Sequence, residues 1–149
     1  MKNVISIFLF MIAFVSKGQG DLNPVKISSS SKISGDTLTV EIKFKVQDDW
    51  MVYDSLAGEV GPIPLSVSHE GVIGGDFISV KKPALKHKFD DIFEVDLWYF
   101  TKEASYEFMY NLTDVGGASG NISLEYMSCN LTSGVCLPPK VEEIYVLTK

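Results

Sequence analysis

Alternation of apolar and polar side chains is the feature of this sequence that most restricts its fold. From Leu38 to Val46, apolar residues occupy every second position, and threonine, glutamate and lysine stand between them. A period of two places one set of side chains in a core and the other in water, as in a half-buried β-strand. No segment has a sustained 3.6-residue apolar period, so the sequence predicts a domain built from strands. Further alternating segments lie at 93–99, 106–110, 122–126 and 144–146, and shorter apolar segments lie at 50–53, 65–68 and 77–80.

Turn residues separate these segments at regular intervals. Glycine occurs in each of the segments 34–36, 61–64, 74–76 and 116–120, together with proline, serine or aspartate. Such residues end strands and supply turn dihedral angles. About eight short strands separated by regular turns are typical of a sandwich of two sheets. We therefore predict an all-β, immunoglobulin-like β-sandwich. The apolar residues expected to form most of its core are Leu38, Val40, Ile42, Phe44, Val95, Leu97, Phe108 and Leu124.

Two groups of polar residues predict irregular structure. The serine run at 28–31 predicts a flexible segment that precedes the first long strand. Asn111, Asn121 and Asn130 each begin an Asn-x-Ser/Thr motif. Since asparagine is also a common turn residue, we interpret all three as parts of turns.

The amino-terminal residues are typical of a secretory signal peptide. Lys2 precedes an apolar run from Val4 to Val15, and small residues follow between 16 and 20. This run is too short to span a bilayer, which requires about 20 residues. We therefore expect a signal peptide over 1–20 and one exported domain over 21–149. The domain is expected in the periplasm in preference to the medium, with no membrane insertion after cleavage.

The charge of the chain excludes one class of function. The sequence has 13 basic and 19 acidic side chains and no arginine. Lys2 and Lys17 belong to the predicted signal peptide, which makes the exported domain more acidic still. Nucleic-acid binding relies on lysine and arginine to neutralise phosphates and on arginine to read guanine. We expect no nucleic-acid partner.

Cys129 and Cys136 are the two cysteines of the chain. Disulfides form and persist outside the cytoplasm, so an exported pair predicts an intramolecular disulfide. A zinc site would require three or four protein ligands, and the further soft ligands, His69 and His87, are distant in sequence. We predict no metal and no cofactor, and we interpret both histidines as ordinary surface or loop residues.

The segment around the cysteines predicts a loop whose two stems lie side by side. A strand over 122–127 delivers Cys129 at its end, Gly134 supplies a turn, and Pro138-Pro139 ends the pairing because proline has no N–H. Antiparallel neighbours lie within disulfide range. We expect the pair at the end or edge of a sheet, where another protein can reach it. These residues alone leave two functions open: a redox-active pair, or an inert disulfide in an exported module that binds a protein or glycan.

The order Cys129, six residues, Cys136-Leu137-Pro138-Pro139-Lys140 resembles the amino-terminal periplasmic domain of the DsbD family of thiol:disulfide interchange proteins. That family carries a C-x(n)-C-x-P-P signature after a strand that ends in an aromatic residue. The segments at 50–53, 61–64 and 89–93 are also similar to the family and occur in the same order. The resemblance covers nearly the whole exported chain.

The resemblance implies an immunoglobulin-like domain with thiol:disulfide interchange activity that relays electrons between thioredoxin-like exported partners. In that family the second cysteine forms the mixed disulfide with a partner, a role that would fall on Cys136. Cys129 would then be the resolving thiol. The family's acidic and aromatic cap loop, which shields the cysteine pair, would correspond to Asp90, Asp91, Ile92 and Phe93.

The sequence also departs from the family pattern. The spacer of six residues is longer than expected, and Glu94 stands where a glycine often closes the cap. The membrane-embedded domain and the terminal thioredoxin-like domain of the family are absent from this sequence. We therefore expect that the relay works with separate partners, or that the chain has lost the relay and kept the fold.

The physical chemistry of exchange adds an expectation about rate. Exchange requires a thiolate and an accessible sulfur. Lys140 is the nearest cation in the sequence, and Asp90 and Asp91 would disfavour a thiolate by charge repulsion. We therefore expect slow spontaneous exchange that accelerates when a specific partner docks. The aromatic residues that could wall the pair, or instead pack in the core, are Trp50, Tyr53, Trp98 and Tyr126.

Overall fold

The computed structural model describes residues 23–113 and 117–147. The predicted signal peptide over 1–20 lies outside these residues. The described residues form strands and turns without a helix, and so include no helix that could cross a membrane. The strands are β1 (Val25–Ser34), β2 (Thr37–Val46), β3 (Trp50–Leu56), β4 (Ser66–Ser68), β5 (Val72–Ile73), β6 (Gly75–Lys81), β7 (Lys86–Asp90), β8 (Val95–Phe100), β9 (Glu103–Leu112), β10 (Ser119–Tyr126), β11 (Ser128–Asn130) and β12 (Lys140–Leu147).

These strands pair antiparallel in three sheets. The first sheet has the order β1-β2-β9-β6. The second has the order β12-β10-β4, with β5 also paired to β10. The third, which we call the cysteine sheet, has the order β11-β3-β8-β7. The domain is an immunoglobulin-like β-sandwich, as the alternating pattern predicts.

The main core joins side chains from all three sheets, and Phe44 shows how. Its ring lies 5.3 Å from Phe100 of the cysteine sheet, 5.6 Å from Tyr106 of the first sheet and 6.1 Å from Tyr126 of the second, measured between centroids. All three contacts are edge-to-face, the arrangement that the ring quadrupole favours. The predicted core residues confirmed in this main core are Leu38, Val40, Ile42, Phe44, Phe108 and Leu124.

A second, smaller cluster lies on the opposite face of the cysteine sheet. Its buried members are Met51, Tyr53, Leu97 and Cys129. Leu97, which was predicted in the sandwich core, is buried in this cluster, and Val95 packs against it partly buried. The prediction was wrong for these two because alternation shows that residues share a face, without showing which face meets the other sheet.

A β-bulge in β3 shapes this outer face. Tyr53 pairs with Tyr99 and Ser55 pairs with Trp98, so Asp54 is an extra residue in the ladder. Its carboxylate is buried and accepts hydrogen bonds from the Tyr106 hydroxyl at 2.7 Å and from the Lys82 ammonium at 2.8 Å. Burial and this hydrogen bond to Asp54 raise the pKa of Tyr106. The extra residue shifts the alternation by one position, so that Leu56, opposite Leu97, is the next residue of β3 on the outer face after Tyr53.

The polar segments predicted as irregular mostly form strands. The serine run at 28–31 is part of β1, which pairs with β2 from Val25↔Val46 to Ser34↔Thr37. The prediction of a flexible segment was therefore wrong, because ladder hydrogen bonds come from the backbone and tolerate serine side chains at an exposed edge. Asn111 and Asn121 lie within β9 and β10, so the turn prediction was also wrong for them.

Candidate functional site

Cys129 and Cys136 form a disulfide in this structure, with Cα atoms 4.0 Å apart. The two residues face each other as an antiparallel bridge. The Leu137 N–H donates to the Ser128 carbonyl at 2.9 Å, and the Asn130 N–H donates to the Val135 carbonyl at 2.8 Å. These bonds flank the cysteines, which makes them a non-hydrogen-bonded pair, the type in which Cα atoms come closest. The predicted pairing of the two stems is confirmed.

The loop between the cysteines is closed by Asn130. Its side-chain oxygen accepts hydrogen bonds from the N–H groups of Thr132 and Ser133 at 3.0 and 2.8 Å. Its carbonyl accepts from the Gly134 N–H at 2.9 Å, and Gly134 has a φ of 72°, which favours glycine. The turn roles predicted for Asn130 and Gly134 are confirmed.

Cys129 lies on a different strand from the one that the sequence predicts. β10 ends at Tyr126 in the second sheet, and the chain then enters the cysteine sheet as the short strand β11. Cys129 is the middle residue of β11 and pairs with Met51 of β3. The prediction that one strand over 122–127 ends at the pair was wrong, since no glycine or proline marks this change of sheet. The predicted edge position is confirmed, because β11 is an edge strand.

The turn before β3 holds the disulfide loop in place. The Asp49 carbonyl accepts a hydrogen bond from the Leu131 N–H at 2.7 Å. Asp49 has a φ of 64°, in the left-handed region where aspartate is one of the more tolerated residues. The first residue after β11 is therefore fixed to the sheet that carries Cys129.

The two sulfur-bearing residues differ in exposure. Cys129 is 1% exposed and packs in the outer cluster with Met51 and Tyr53, whereas Cys136 is exposed. The side chains of Leu131 and Val135, in the same loop, are also exposed. A partner that approaches this edge therefore meets Cys136 and an uncharged loop surface that includes two exposed apolar side chains, while Cys129 lies beneath them.

Tyr53 forms the aromatic wall beside Cys129. It is buried in the same cluster, and its pKa is raised by burial, with smaller contributions from the charges of Asp90 and Tyr99. Lys88 places its ammonium 5.6 Å from the Tyr53 ring centroid and 5.8 Å from that of Tyr99. Sequence reasoning missed Lys88, because it lies far from both cysteines along the chain and reaches this face only through the pairing of β7 with β8.

The other aromatic candidates lie elsewhere. Trp50 and Tyr126 are buried in the main core. Trp98 lies beside His87, with ring centroids 5.1 Å apart. Lys140, the nearest cation in sequence, places its ammonium 2.7 Å from Glu142. Of the aromatic residues considered, the structure brings Tyr53 to the cysteine pair.

The segment matched to the cap loop forms the tip of the β7–β8 hairpin. The Asp90 carboxylate accepts hydrogen bonds from the N–H groups of Ile92 and Phe93 at 3.0 and 3.1 Å. Ile92 is 85% exposed, and Asp91 and Phe93 are also exposed. β7 and β11 are the two edges of the cysteine sheet, with β3 and β8 between them. The structure therefore brings Asp90 near Tyr53 and leaves the tip in solvent.

Glu94 closes this hairpin with a φ of 55°. That left-handed conformation is disfavoured for glutamate and open to glycine. The glycine that often closes the cap in the family thus corresponds to a position where this structure requires a positive φ.

The histidines take part in separate interactions. His69 Nδ1 lies 2.7 Å from the Tyr110 hydroxyl, and burial lowers the pKa of His69. His87 Nε2 lies 2.7 Å from an oxygen of Asp96. Within 23–113 and 117–147, no three histidine, cysteine, aspartate or glutamate side chains come together as metal ligands.

Fold and site together define a class of protein: an immunoglobulin-like domain with an accessible disulfide on an edge hairpin. The family model of the amino-terminal domain of thiol:disulfide interchange protein DsbD matches residues 20–148. This chain belongs to that family. Comparison with curated proteins gave no significant match.

Solved structures share the fold. The amino-terminal domain of Neisseria meningitidis DsbD in the reduced form is 17% identical, with a TM-score of 0.50 over 80% of this chain and 83% of that chain. The complex of the DsbD and PilB amino-terminal domains from Neisseria meningitidis matches at 18% identity and a TM-score of 0.50, covering 83% and 84% of the two chains. The amino-terminal periplasmic domain of ScsB from Proteus mirabilis is 12% identical, with a TM-score of 0.61 over 85% of this chain and 47% of that chain.

Proposed function

We propose that this domain exchanges disulfides with exported thioredoxin-like proteins and passes reducing equivalents through Cys129 and Cys136. The observation that carries the proposal is the unequal exposure of the pair, 1% for Cys129 against an exposed Cys136. Exchange requires that a partner's cysteine reach one sulfur in line with the disulfide. Because Cys136 is exposed and Cys129 is covered, the partner's cysteine can reach only Cys136 directly.

The reaction balances in two steps. In the reduced domain, the Cys136 thiolate attacks one sulfur of the partner's disulfide, forms a mixed disulfide and releases the partner's other sulfur as a thiolate. The Cys129 thiolate then attacks the Cys136 sulfur, restores the internal disulfide and releases the partner's second thiolate. Two electrons pass to the partner, and the protons lost by the two cysteines are taken up through solvent by the partner's thiols.

Three observations support an exported, protein-directed role. The predicted signal peptide over 1–20 would deliver the chain outside the cytoplasm. One structural relative is described as periplasmic, and another was solved in complex with the amino-terminal domain of PilB. The segment 128–139 contains no charged side chain, so it can enter a neutral groove on a partner without desolvating an ion.

The position of the disulfide argues against a purely structural role. It closes a loop of about eight residues, and such short loops gain less from cross-linking than long loops do. The two stems are already joined by the hydrogen bonds on either side of the pair. The bond connects no two distant strands, so we expect the sandwich to stay folded without it.

We also propose that the hairpin tip, Asp90 to Phe93, is the cap of this site. The closeness of Asp90 to Tyr53 supports this, because Tyr53 packs with Cys129. The left-handed conformation of Glu94 supports it further, since that position matches the family's glycine. In this role the tip moves relative to the pair when a partner docks.

Trapping of partners tests the assignment of the two cysteines. Cys129→Ser is expected to retain Cys136 and accumulate a stable mixed disulfide with a partner, because the resolving thiol is gone. Cys136→Ser is expected to trap little or none, because the remaining sulfur is buried. Each variant would be expressed in the exporting host, and adducts would be compared on non-reducing gels.

The trapping experiment has two outcomes that contradict the proposal. Equal trapping by both variants would reject the assignment of roles. Absence of adducts from both, together with a native disulfide that thioredoxin fails to reduce, would reject exchange. That result would instead support a binding module with an inert disulfide.

A further inference from the structure

Two lysines lie on the same face of the cysteine sheet as Cys129. Cys129 pairs with Met51, Tyr53 pairs with Tyr99, and Leu97 pairs with Lys88. Directly opposed residues of an antiparallel pair share a face, as do residues two apart on one strand. This places Lys88 on the outer face with Cys129. Lys86 pairs with Tyr99 and therefore lies on that face as well.

The ammonium group of Lys88 is positioned by aromatic rings and not by an ion pair with a carboxylate. Its ammonium lies over the rings of Tyr53 and Tyr99, and the side chain is partly buried. Among the described residues, five ion pairs involve other cations, and none involves Lys88. A cation between aromatic faces is oriented by the ring quadrupoles while its charge stays uncompensated.

The other charged residues on this face, Lys86 and Asp90, have hydrogen-bond partners of their own. The Lys88 ammonium can therefore interact with a substrate. Lys86 donates to the Thr101 hydroxyl at 2.8 Å. Asp90 is the acidic residue near Tyr53, and one of its oxygens accepts the hydrogen bonds of Ile92 and Phe93 in the hairpin turn. Two ammonium groups therefore face one carboxylate already engaged by backbone N–H groups. The strand residues on this face therefore carry one more positive than negative charge, while the acidic residues Asp91 and Glu94 lie on the exposed hairpin tip.

We propose that Lys88 sets the charge preference of the Cys129–Cys136 site. It favours substrate disulfides that carry a carboxylate near the reacting sulfur. The inference rests on the proposed function and adds the chemistry of the partner to it. A carboxylate that approaches Cys136 over this face gains attraction from an oriented ammonium at little ordering cost, because the two tyrosine rings already hold the lysine. An ammonium in the same place is repelled.

Small disulfides of different charge test this proposal without a known partner. The reduced domain would be oxidised by oxidised glutathione, which is anionic, by bis(2-hydroxyethyl) disulfide, which is neutral, and by cystamine, which is cationic. In each reaction the domain's dithiol becomes its disulfide, and the probe becomes two thiols. Rates would be measured at low and high salt.

The comparison uses variants that keep side-chain length. Lys88→Met is expected to lower the ratio of the glutathione rate to the cystamine rate by about fivefold at low salt, since electrostatic complementarity acts mainly on association. Lys88→Arg is expected to retain the ratio of the unmodified chain. High salt is expected to reduce the difference, because it screens exposed charges. Lys81→Met, on β6 of the first sheet, removes the same net charge elsewhere and serves as the control.

The outcomes separate this inference from the proposed function. If all three probes oxidise the domain and Lys88→Met changes the ratio no more than Lys81→Met does, the inference is wrong and the exchange function stands. If the native disulfide resists reduction, or the reduced pair resists all three probes, both fail. A ratio that falls in Lys88→Met and is retained in Lys88→Arg supports the inference.

Discussion

The two faces of the cysteine sheet differ in what they contact. The inner face contributes Trp50, Val52 and Phe100 to the main core, which joins all three sheets. The outer face carries a small cluster in which Met51 and Tyr53 pack beside Cys129. Strands β3 and β8 thus support the shared core with one face and, together with β11, a local site with the other.

The inner face contributes mainly to the stability of the fold, and the outer face carries the site of the proposed exchange reaction. Burial against two other sheets removes large apolar areas from water and is the main source of folding free energy. The outer cluster consists of neighbours within a single sheet, and Lys88 and Tyr99 at its rim remain partly in solvent. Changes on this face are therefore expected to alter exchange more than folding.

The largest effect is expected from the main core. Phe44→Ala would remove a ring that contacts aromatic residues of all three sheets, and a loss of about 4 kcal/mol in unfolding free energy is expected. Met51→Ala, in the outer cluster, is expected to lose about 2 kcal/mol, because a site beside solvent can relax around the missing atoms. Urea denaturation would measure both values. Equal losses would show that the outer cluster stabilises the fold as strongly as the core.

An effect smaller than that of Phe44→Ala is expected from the disulfide. Reduction of the Cys129–Cys136 bond releases a loop of about eight residues, for which chain entropy predicts a loss of about 2.5 kcal/mol. The measurement is urea denaturation with and without a reductant. The double variant Cys129→Ser, Cys136→Ser cannot form the bond, so its unfolding free energy gives the value for the fully reduced domain. Unfolding of the whole domain on reduction would assign the bond a structural role.

The smallest effect is expected at the hairpin tip. Glu94→Gly would relieve a left-handed glutamate and is expected to stabilise the domain by about 1 kcal/mol, less the added entropy of the unfolded chain. Asp91→Gly, at a tip residue without positive φ, is the control and is expected to be neutral or destabilising. Thermal unfolding compares the two. Destabilisation by Glu94→Gly would show that the glutamate side chain stabilises the turn through a contact that outweighs its backbone strain.

Sequence reasoning recovered the features that depend on neighbours along the chain. The alternation from Leu38 to Val46 predicted β2, and the pair Cys129 and Cys136 was identified with its turn at Gly134. It was wrong for the serine run at 28–31, because strand pairing is made by the backbone and β2 supplies every partner. It was also wrong at Met127, where the chain changes sheets without a turn residue to mark the change.

The sequence by itself determined that this chain is an all-β domain with one cysteine pair on an edge loop, because strand periodicity, turn residues and a short disulfide loop are local properties. The tertiary structure decided which face of the cysteine sheet enters the core. It also decided that Cys129 is buried while Cys136 is exposed, and that Lys88 lies over Tyr53. These outcomes depend on pairings between strands distant in sequence, which set the face and the neighbours of every side chain, and no local pattern contains that information.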